Sequence, residues 1–63
     1  MKHVDCGRFF FGTTKISIAI ARKAAEKQCA IVKSQWEDND RFVRVKVIQE
    51  VDCFIVDLKL TDT

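Results

Sequence analysis

The sequence predicts a single α+β domain over residues 1–63, with one helix packed on a mainly antiparallel sheet in the order β-α-β-β-β. Three observations lead to this prediction: a glycine-bounded run of phenylalanines, an alanine-rich amphipathic segment, and stretches in which apolar and charged residues alternate. A domain of 63 residues buries only about 60% of the surface that its unfolded chain exposes. We therefore expect a marginally stable fold that gains from association with a partner.

The first strand is predicted over about residues 2–11. Phe9, Phe10 and Phe11 follow Gly7 and precede Gly12, and aromatic runs bounded by glycine are typical of strands. Glycine inside a strand weakens it and often marks a bulge, so we expect an irregularity at Gly7.

A helix is predicted over about residues 14–28. Thr13 or Thr14 is expected to cap it, because a threonine hydroxyl can accept a hydrogen bond from the unpaired amides of the first turn. Ile16, Ile18 and Ile20 alternate with small residues as in a strand. At about 100° per residue, however, most apolar side chains of the segment share one arc. This arc contains Ile18, Ile20, Ala21, Ala24, Ala25 and Cys29.

Two hairpins are predicted in the second half. Residues 29–36 begin with apolar side chains and are expected to form a strand, which the polar turn at residues 38–40 joins to the next strand. Between residues 41 and 60 the apolar side chains change phase, from odd positions to even ones. Because side chains alternate strictly across a strand, we expect a turn or bulge near residues 49–52, which would give the second hairpin.

No set of catalytic groups is recognisable, and we expect neither enzymatic activity nor a cofactor. His3 is the single histidine, and no serine, cysteine or acid pattern around it would make a nucleophile and base. With two glycines in all, the chain cannot form the glycine-rich loops that bind phosphates in nucleotide-binding domains. A zinc site would need His3 and all three cysteines, but the paired C-x-x-C spacing of structural zinc sites is absent, so we predict no metal site.

The cysteines indicate the compartment. Cys6, Cys29 and Cys53 form an odd set, which argues against a secreted disulfide framework and for reduced thiols. No apolar run approaches the roughly 20 residues of a membrane span, and the N-terminus lacks the apolar stretch of a signal peptide. We expect a cytoplasmic protein that makes no contact with a membrane.

A small basic nucleic-acid-binding protein is one alternative. Residues 1–35 carry seven Lys and Arg against two acids, whereas residues 36–63 carry four against seven. Basic side chains near aromatic ones can contact phosphates and stack on bases. A pI of about 8.6 is nevertheless below that of strongly basic nucleic-acid-binding domains. The candidate contacts for this alternative are Lys15, Arg22, Lys23, Lys27 and Arg44.

The preferred hypothesis is a small protein-interaction module that regulates or inhibits a larger macromolecule, in the manner of accessory proteins of viruses and mobile elements. One helix covers only one face of a sheet, so the other face is expected to carry large apolar side chains, such as Ile31, Phe42, Ile48 and Ile55. Such a face favours a homodimer or a structural homo-oligomer. The acidic turn would act as a negatively charged probe for a basic groove. The residues predicted to contact the partner are Trp36, Glu37, Asp38, Asp40 and Phe42.

Overall fold

The computed structural model describes residues 1–12 and 17–62, and within these ranges one helix and three strands form two layers. Strand β1 spans Lys2–Phe10, helix α1 spans Ile18–Trp36, β2 spans Phe42–Gln49 and β3 spans Cys53–Leu60. β3 lies between β1 and β2 and pairs antiparallel with both. The α+β class and the helix on an antiparallel sheet are confirmed. The described order is β-α-β-β, with one strand fewer than the sequence predicts.

β1 contains the irregularity that the sequence predicts at Gly7. The pairing register with β3 shifts between Asp5 and Arg8, so that two residues of β1 stand opposite one residue of β3. Gly7 has a φ of 150°, which residues with a side chain rarely adopt, and a Cβ there would lie 3.3 Å from the ring of Phe9. The bulge therefore depends on glycine at this position.

Helix α1 begins at Ile18, with Ser17 as its N-cap. The Ser17 hydroxyl oxygen accepts a hydrogen bond from the amide of Ile20 at 3.3 Å, which is the bond expected of a capping serine. The predicted caps Thr13 and Thr14 lie outside the described residues.

The prediction of a strand over residues 29–36 is wrong, because α1 continues to Trp36. The adjacent β-branched residues Ile31 and Val32 suggested a strand, but no glycine or proline interrupts the segment. Packing of the apolar arc against the sheet outweighs their modest helix propensity. The core-facing side chains of α1 recur three or four residues apart along its whole length: Ala21, Ala25, Cys29, Val32 and Trp36.

β2 and β3 form the hairpin that the change of apolar phase predicts. Its turn contains residues 50–52, and the amide of Glu50 donates to the carbonyl oxygen of Cys53 at 2.8 Å. The predicted hairpin at residues 38–40 is wrong, since this turn joins the end of α1 to the start of β2. The same turn-forming residues serve a helix-to-strand connection as well as a hairpin.

The core lies between α1 and one face of the sheet. On β3 the side chains that point toward the helix are all buried, namely Phe54, Val56, Leu58 and Leu60. The opposite face, which we call the open face, carries Ile48 and Ile55, as the sequence predicts. The two residues stand in directly paired positions of β2 and β3. The other two residues expected there lie elsewhere: Ile31 is exposed on α1, and Phe42 packs against the core.

Candidate interaction surfaces

The acidic loop comprises residues 37–41 between α1 and β2, and hydrogen bonds fix its backbone. The amide of Glu37 donates to the carbonyl oxygen of Lys33 at 2.8 Å, and the amide of Asn39 donates to that of Trp36 at 2.8 Å. The amide of Phe42 donates to the carbonyl oxygen of Asn39 at 3.0 Å. The Asn39 side chain also accepts from the amide two residues further on, at 2.9 Å. The loop is thus held in one conformation by its own backbone and by an Asx-type turn.

Trp36 and Phe42 flank the acidic loop. Both are half-buried and pack against the core between helix and sheet. Because their buried parts anchor the two ends of the loop, only the exposed edges of their rings could touch a partner. The structure therefore brings the predicted partner-binding residues together but divides them into an aromatic anchor and an acidic tip.

The acidic tip consists of Glu37, Asp38 and Asp40, which are exposed. Within residues 1–12 and 17–62, none of these three carboxylates takes part in an ion pair. Four other acids do so: Asp5 with Arg8 at 2.6 Å, Glu26 with Arg22 at 3.4 Å, Asp57 with His3 at 2.9 Å, and Asp62 with the N-terminal ammonium at 2.6 Å. The tip consequently presents uncompensated negative charge.

Part of the acidic tip lies where a helix disfavours negative charge. Glu37 is the C-cap of α1, and Asp38 follows it. The C-terminal end of a helix carries a partial negative charge, so an acidic group there destabilises the helix by about 0.3–1 kcal/mol. Lys33 in the last turn offsets part of this effect. Helix stability therefore does not account for the acids at these positions.

The open face carries basic residues at the end where β2 begins. Lys59 of β3 stands opposite His3 of β1 on one side and opposite Arg44 of β2 on the other. Lys46 lies two residues after Arg44 and so points to the same face. Arg44, Lys46 and Lys59 form no ion pair in the described part of the chain. We call these three residues the basic strip.

Two carboxylates on the open face already have partners. Asp57 is 8% exposed, and its Oδ2 lies 2.9 Å from Nδ1 of His3. Asp5 accepts hydrogen bonds from the amide of Gly7 at 2.9 Å and from Nε of Arg8 at 2.6 Å, and these bonds hold the pKa of Asp5 below its usual value. The basic strip is therefore compensated only in part.

The other end of the open face is mainly apolar, apart from Arg8, which stands opposite Ile55 and is paired with Asp5. Ile48 stands opposite Ile55, and Phe10 of β1 stands opposite Cys53. Cys53 is buried in the sheet, whereas Phe10 is 49% exposed. An exposed aromatic ring and two isoleucines thus continue the surface that begins with the basic strip.

An apolar groove of about 450 Å³ lies between the start of α1 and the β2–β3 hairpin. Ile18 and Ile20 of the helix are 50% and 61% exposed at this groove. Gln49 of β2 and Phe54 of β3 also line it, and Arg22 is among the residues at its helical side. Two of the large exposed apolar side chains of the described chain therefore adjoin at this groove.

The residues predicted for nucleic-acid binding do not form one surface. Arg22, Lys23 and Lys27 are exposed on α1, whereas Arg44 lies on the open face, on the far side of the sheet. Lys15 lies outside the described residues. Lys59 is not among the predicted contacts, because its position opposite Arg44 is apparent only when the register of the strands is known.

The three cysteines are free. Burial raises the pKa of the Cys6 thiol, with a further contribution from nearby carboxylates, and burial also raises the pKa of the Cys53 thiol. Cys6 and Cys29 pack on the helix side of the sheet, while Cys53 and His3 lie on the open face, so these four side chains do not converge. Among the described residues, no group of three or more His, Cys, Asp or Glu could hold a metal ion.

Comparison of the chain with protein-family models, with curated proteins and with solved structures found no match. In the part of the chain that the structure describes, no helix combines the length and apolarity needed to cross a bilayer.

Proposed function

We propose that this chain is a small protein-interaction module that regulates or inhibits a larger macromolecule by binding a basic surface of it through the acidic loop. The observation that supports this most directly is the presence of three exposed, unpaired carboxylates on a loop with a fixed backbone. A preformed loop loses little conformational entropy on binding, so more of its interaction energy is available as affinity. The module acts by occupying its partner's surface and needs no catalytic group.

The charge of the acidic tip specifies the chemistry of the partner. Carboxylates form their strongest hydrogen bonds with the guanidinium and ammonium groups of arginine and lysine. A basic groove that otherwise holds a polyanion offers such groups at high density, and electrostatic steering speeds encounter with it. Blocking that groove would inhibit the partner. Affinity is expected to fall as salt rises, because exposed charges are screened.

Quantitative capture from a lysate of the native host tests this proposal. The immobilised chain is compared with a variant in which Glu37, Asp38 and Asp40 are changed to lysine, and captured proteins are measured by mass spectrometry after nuclease treatment. We expect a basic protein that the unmodified chain retains and the triple variant loses, while both chains keep the same circular dichroism spectrum.

A matched pair of single changes supplies the control. Asp38→Lys and Glu50→Lys change the net charge equally, and both lie in exposed turns at opposite ends of β2. Asp38→Lys is expected to weaken capture and Glu50→Lys to leave it unchanged. Equal retention of the partner by the triple variant, or equal weakening by the two single variants, would contradict a role for the acidic loop.

We also propose that the chain self-associates through the apolar groove. Ile18 and Ile20 expose large side chains there, and a second copy can bury them in a self-complementary contact. The open face is a poorer surface for this purpose, since two basic strips would face each other. The free thiols support a reducing, cytoplasmic location.

A further inference from the structure

We propose that the open face binds single-stranded nucleic acid, with phosphates on the basic strip and bases toward Phe10. The basic strip shares no residue with the acidic loop, which leads into the start of β2 and has the opposite charge. It also differs from a site on the exposed face of α1, where the cations lie on the other side of the molecule.

Lys59 is the residue that carries this inference. Basic side chains on an edge strand such as β2 protect the edge against pairing with another chain, which accounts for Arg44 and Lys46 without any ligand. Lys59, however, belongs to the central strand, where no edge needs protection. It stands directly opposite Arg44, and like charges directly opposite each other are destabilising. An anion that contacts the strip would remove this repulsion.

The neighbouring carboxylates supply that anion only in part, although Asp57 stands opposite Lys46 in the sheet. Asp57 is buried and lies 2.9 Å from His3, and Asp5 is held by Arg8. In the described chain neither forms an ion pair with Lys59 or with the other members of the basic strip. The strip therefore presents three cations on one side of the sheet, on neighbouring strands or two residues apart on one strand.

The mainly apolar end of the open face favours single-stranded over double-stranded nucleic acid as the ligand. Phe10 is 49% exposed, and Ile48 and Ile55 lie between it and the strip. Unpaired bases can stack on an exposed aromatic ring and lie on apolar side chains, whereas the bases of a duplex are stacked inside. A three-stranded sheet is also roughly 14 Å wide at about 4.8 Å per strand, which is more than the major groove of about 12 Å admits.

The salt dependence of binding gives a quantitative expectation. Each phosphate contact with a single strand contributes about −0.7 to the slope of log affinity against log salt concentration. Contacts from the three residues of the strip predict a slope of about −2. Affinity should fall roughly twenty-fold when salt is raised from about 50 to about 200 mM.

The test is fluorescence anisotropy with a labelled oligothymidine of about 16 nucleotides, the upper end of the usual site size. Lys59→Gln is compared with Lys23→Gln, an identical charge change on the exposed side of α1. We expect Lys59→Gln to weaken binding about eight-fold at about 50 mM salt and to make the slope less negative by about 0.7, since one contact is lost. Lys23→Gln is expected to leave the slope unchanged.

Phe10→Ala tests the position of the bases. Loss of stacking should lower affinity roughly ten-fold with no change in slope, because no phosphate contact is removed. Thermal unfolding of each variant shows that the fold is retained.

Four results would overturn the proposal: no binding at about 50 mM salt, equal losses in the Lys59 and Lys23 variants, equal affinity for a duplex of the same length, or equal affinity for polyglutamate. The last outcome would assign the strip to acidic polypeptides. Because neither lysine lies in the acidic loop, failure here leaves the proposed protein interaction untouched.

Discussion

Asp38→Lys should stabilise the fold while it weakens binding through the acidic loop. Asp38 directly follows Glu37, the C-cap of α1, and so lies beside the negative end of the helix. An acid at this end is unfavourable by about 0.3–1 kcal/mol and a lysine is favourable by a similar amount, which gives a change of about 0.6–2 kcal/mol. Asp38 is exposed and just outside the last turn, so we expect a value near 1 kcal/mol. Reduced repulsion from Glu37 and Asp40 acts in the same direction.

For a domain of this size, 1 kcal/mol corresponds to an increase of roughly 4–8 °C in melting temperature. The change is measured by thermal unfolding, followed by circular dichroism at low salt and at about 1 M salt, where the screening length is only about 3 Å. Most of the gain should vanish at high salt. Glu50→Lys makes the same charge change at the opposite end of β2, away from the C-terminal end of α1, so it serves as the control and should show no gain. A melting temperature equal to or below that of the unmodified chain, or a gain that high salt does not reduce, would refute the electrostatic argument.

Two further predictions concern acid stability and assembly. The Gly7 amide and Arg8 lower the pKa of Asp5, and the N-terminal ammonium lowers that of Asp62, so both carboxylates stabilise the fold above the ordinary Asp value of 3.8. Their contribution is lost as pH falls through the lowered pKa values, so the free energy of urea unfolding should decline below about pH 4. The decline should be smaller in an Asp5→Asn, Asp62→Asn variant, and an unchanged decline in that variant contradicts the prediction. Light scattering at micromolar concentration should give a mass well above 7.3 kDa, and Ile20→Lys should return it to that of one chain; a single-chain mass for the unmodified protein would exclude association through the groove.

Several elements could be predicted because the residues that determine them are local. Gly7 marks the bulge of β1, since its backbone conformation is one that other residues rarely adopt. The change of apolar phase between β2 and β3 locates the turn at residues 50–52, because a strand cannot change its buried face without a break. In both cases a rule about neighbouring residues is sufficient.

The C-terminal half of α1 could not be identified in the same way. Residues 29–36 contain an adjacent Ile31 and Val32, and β-branched pairs favour strands when only local propensity is considered. The helix continues because Val32 and Trp36 extend the buried arc against the sheet. That contact depends on tertiary packing, which is the usual reason for propensity to fail.

The candidate surfaces differ in how far the sequence reveals them. The acidic loop is contiguous in the chain, so its charges could be singled out even though the flanking elements were assigned wrongly. The basic strip depends on register: only when Gln49 is paired with Phe54 does Arg44 come opposite Lys59. When a surface is formed by residues of several strands, its charges can be assigned to one patch only after the position of the turn, and so the register, is known.

Both proposed binding surfaces contain charged side chains in electrostatically unfavourable positions, unlike the ion-paired side chains elsewhere in the described chain. Asp5 and Arg8 form an ion pair beside the bulge and stabilise the strand that carries them. Glu37 and Asp38 of the acidic tip, in contrast, lie at the disfavoured end of a helix, and Lys59 stands opposite Arg44 on a central strand. A small domain has a net stability of only about 5–15 kcal/mol, so unfavourable placements of this kind are significant unless a ligand compensates for them.

Because the surfaces have opposite charge and share no residue, a ligand of one charge cannot compensate for both. Single changes should therefore separate the two activities. Asp38→Lys is expected to impair protein capture and leave oligonucleotide binding intact, and Lys59→Gln is expected to do the reverse. If each change impaired both activities equally, the effect would arise from net charge or from the fold, and the assignment of two independent surfaces would be wrong.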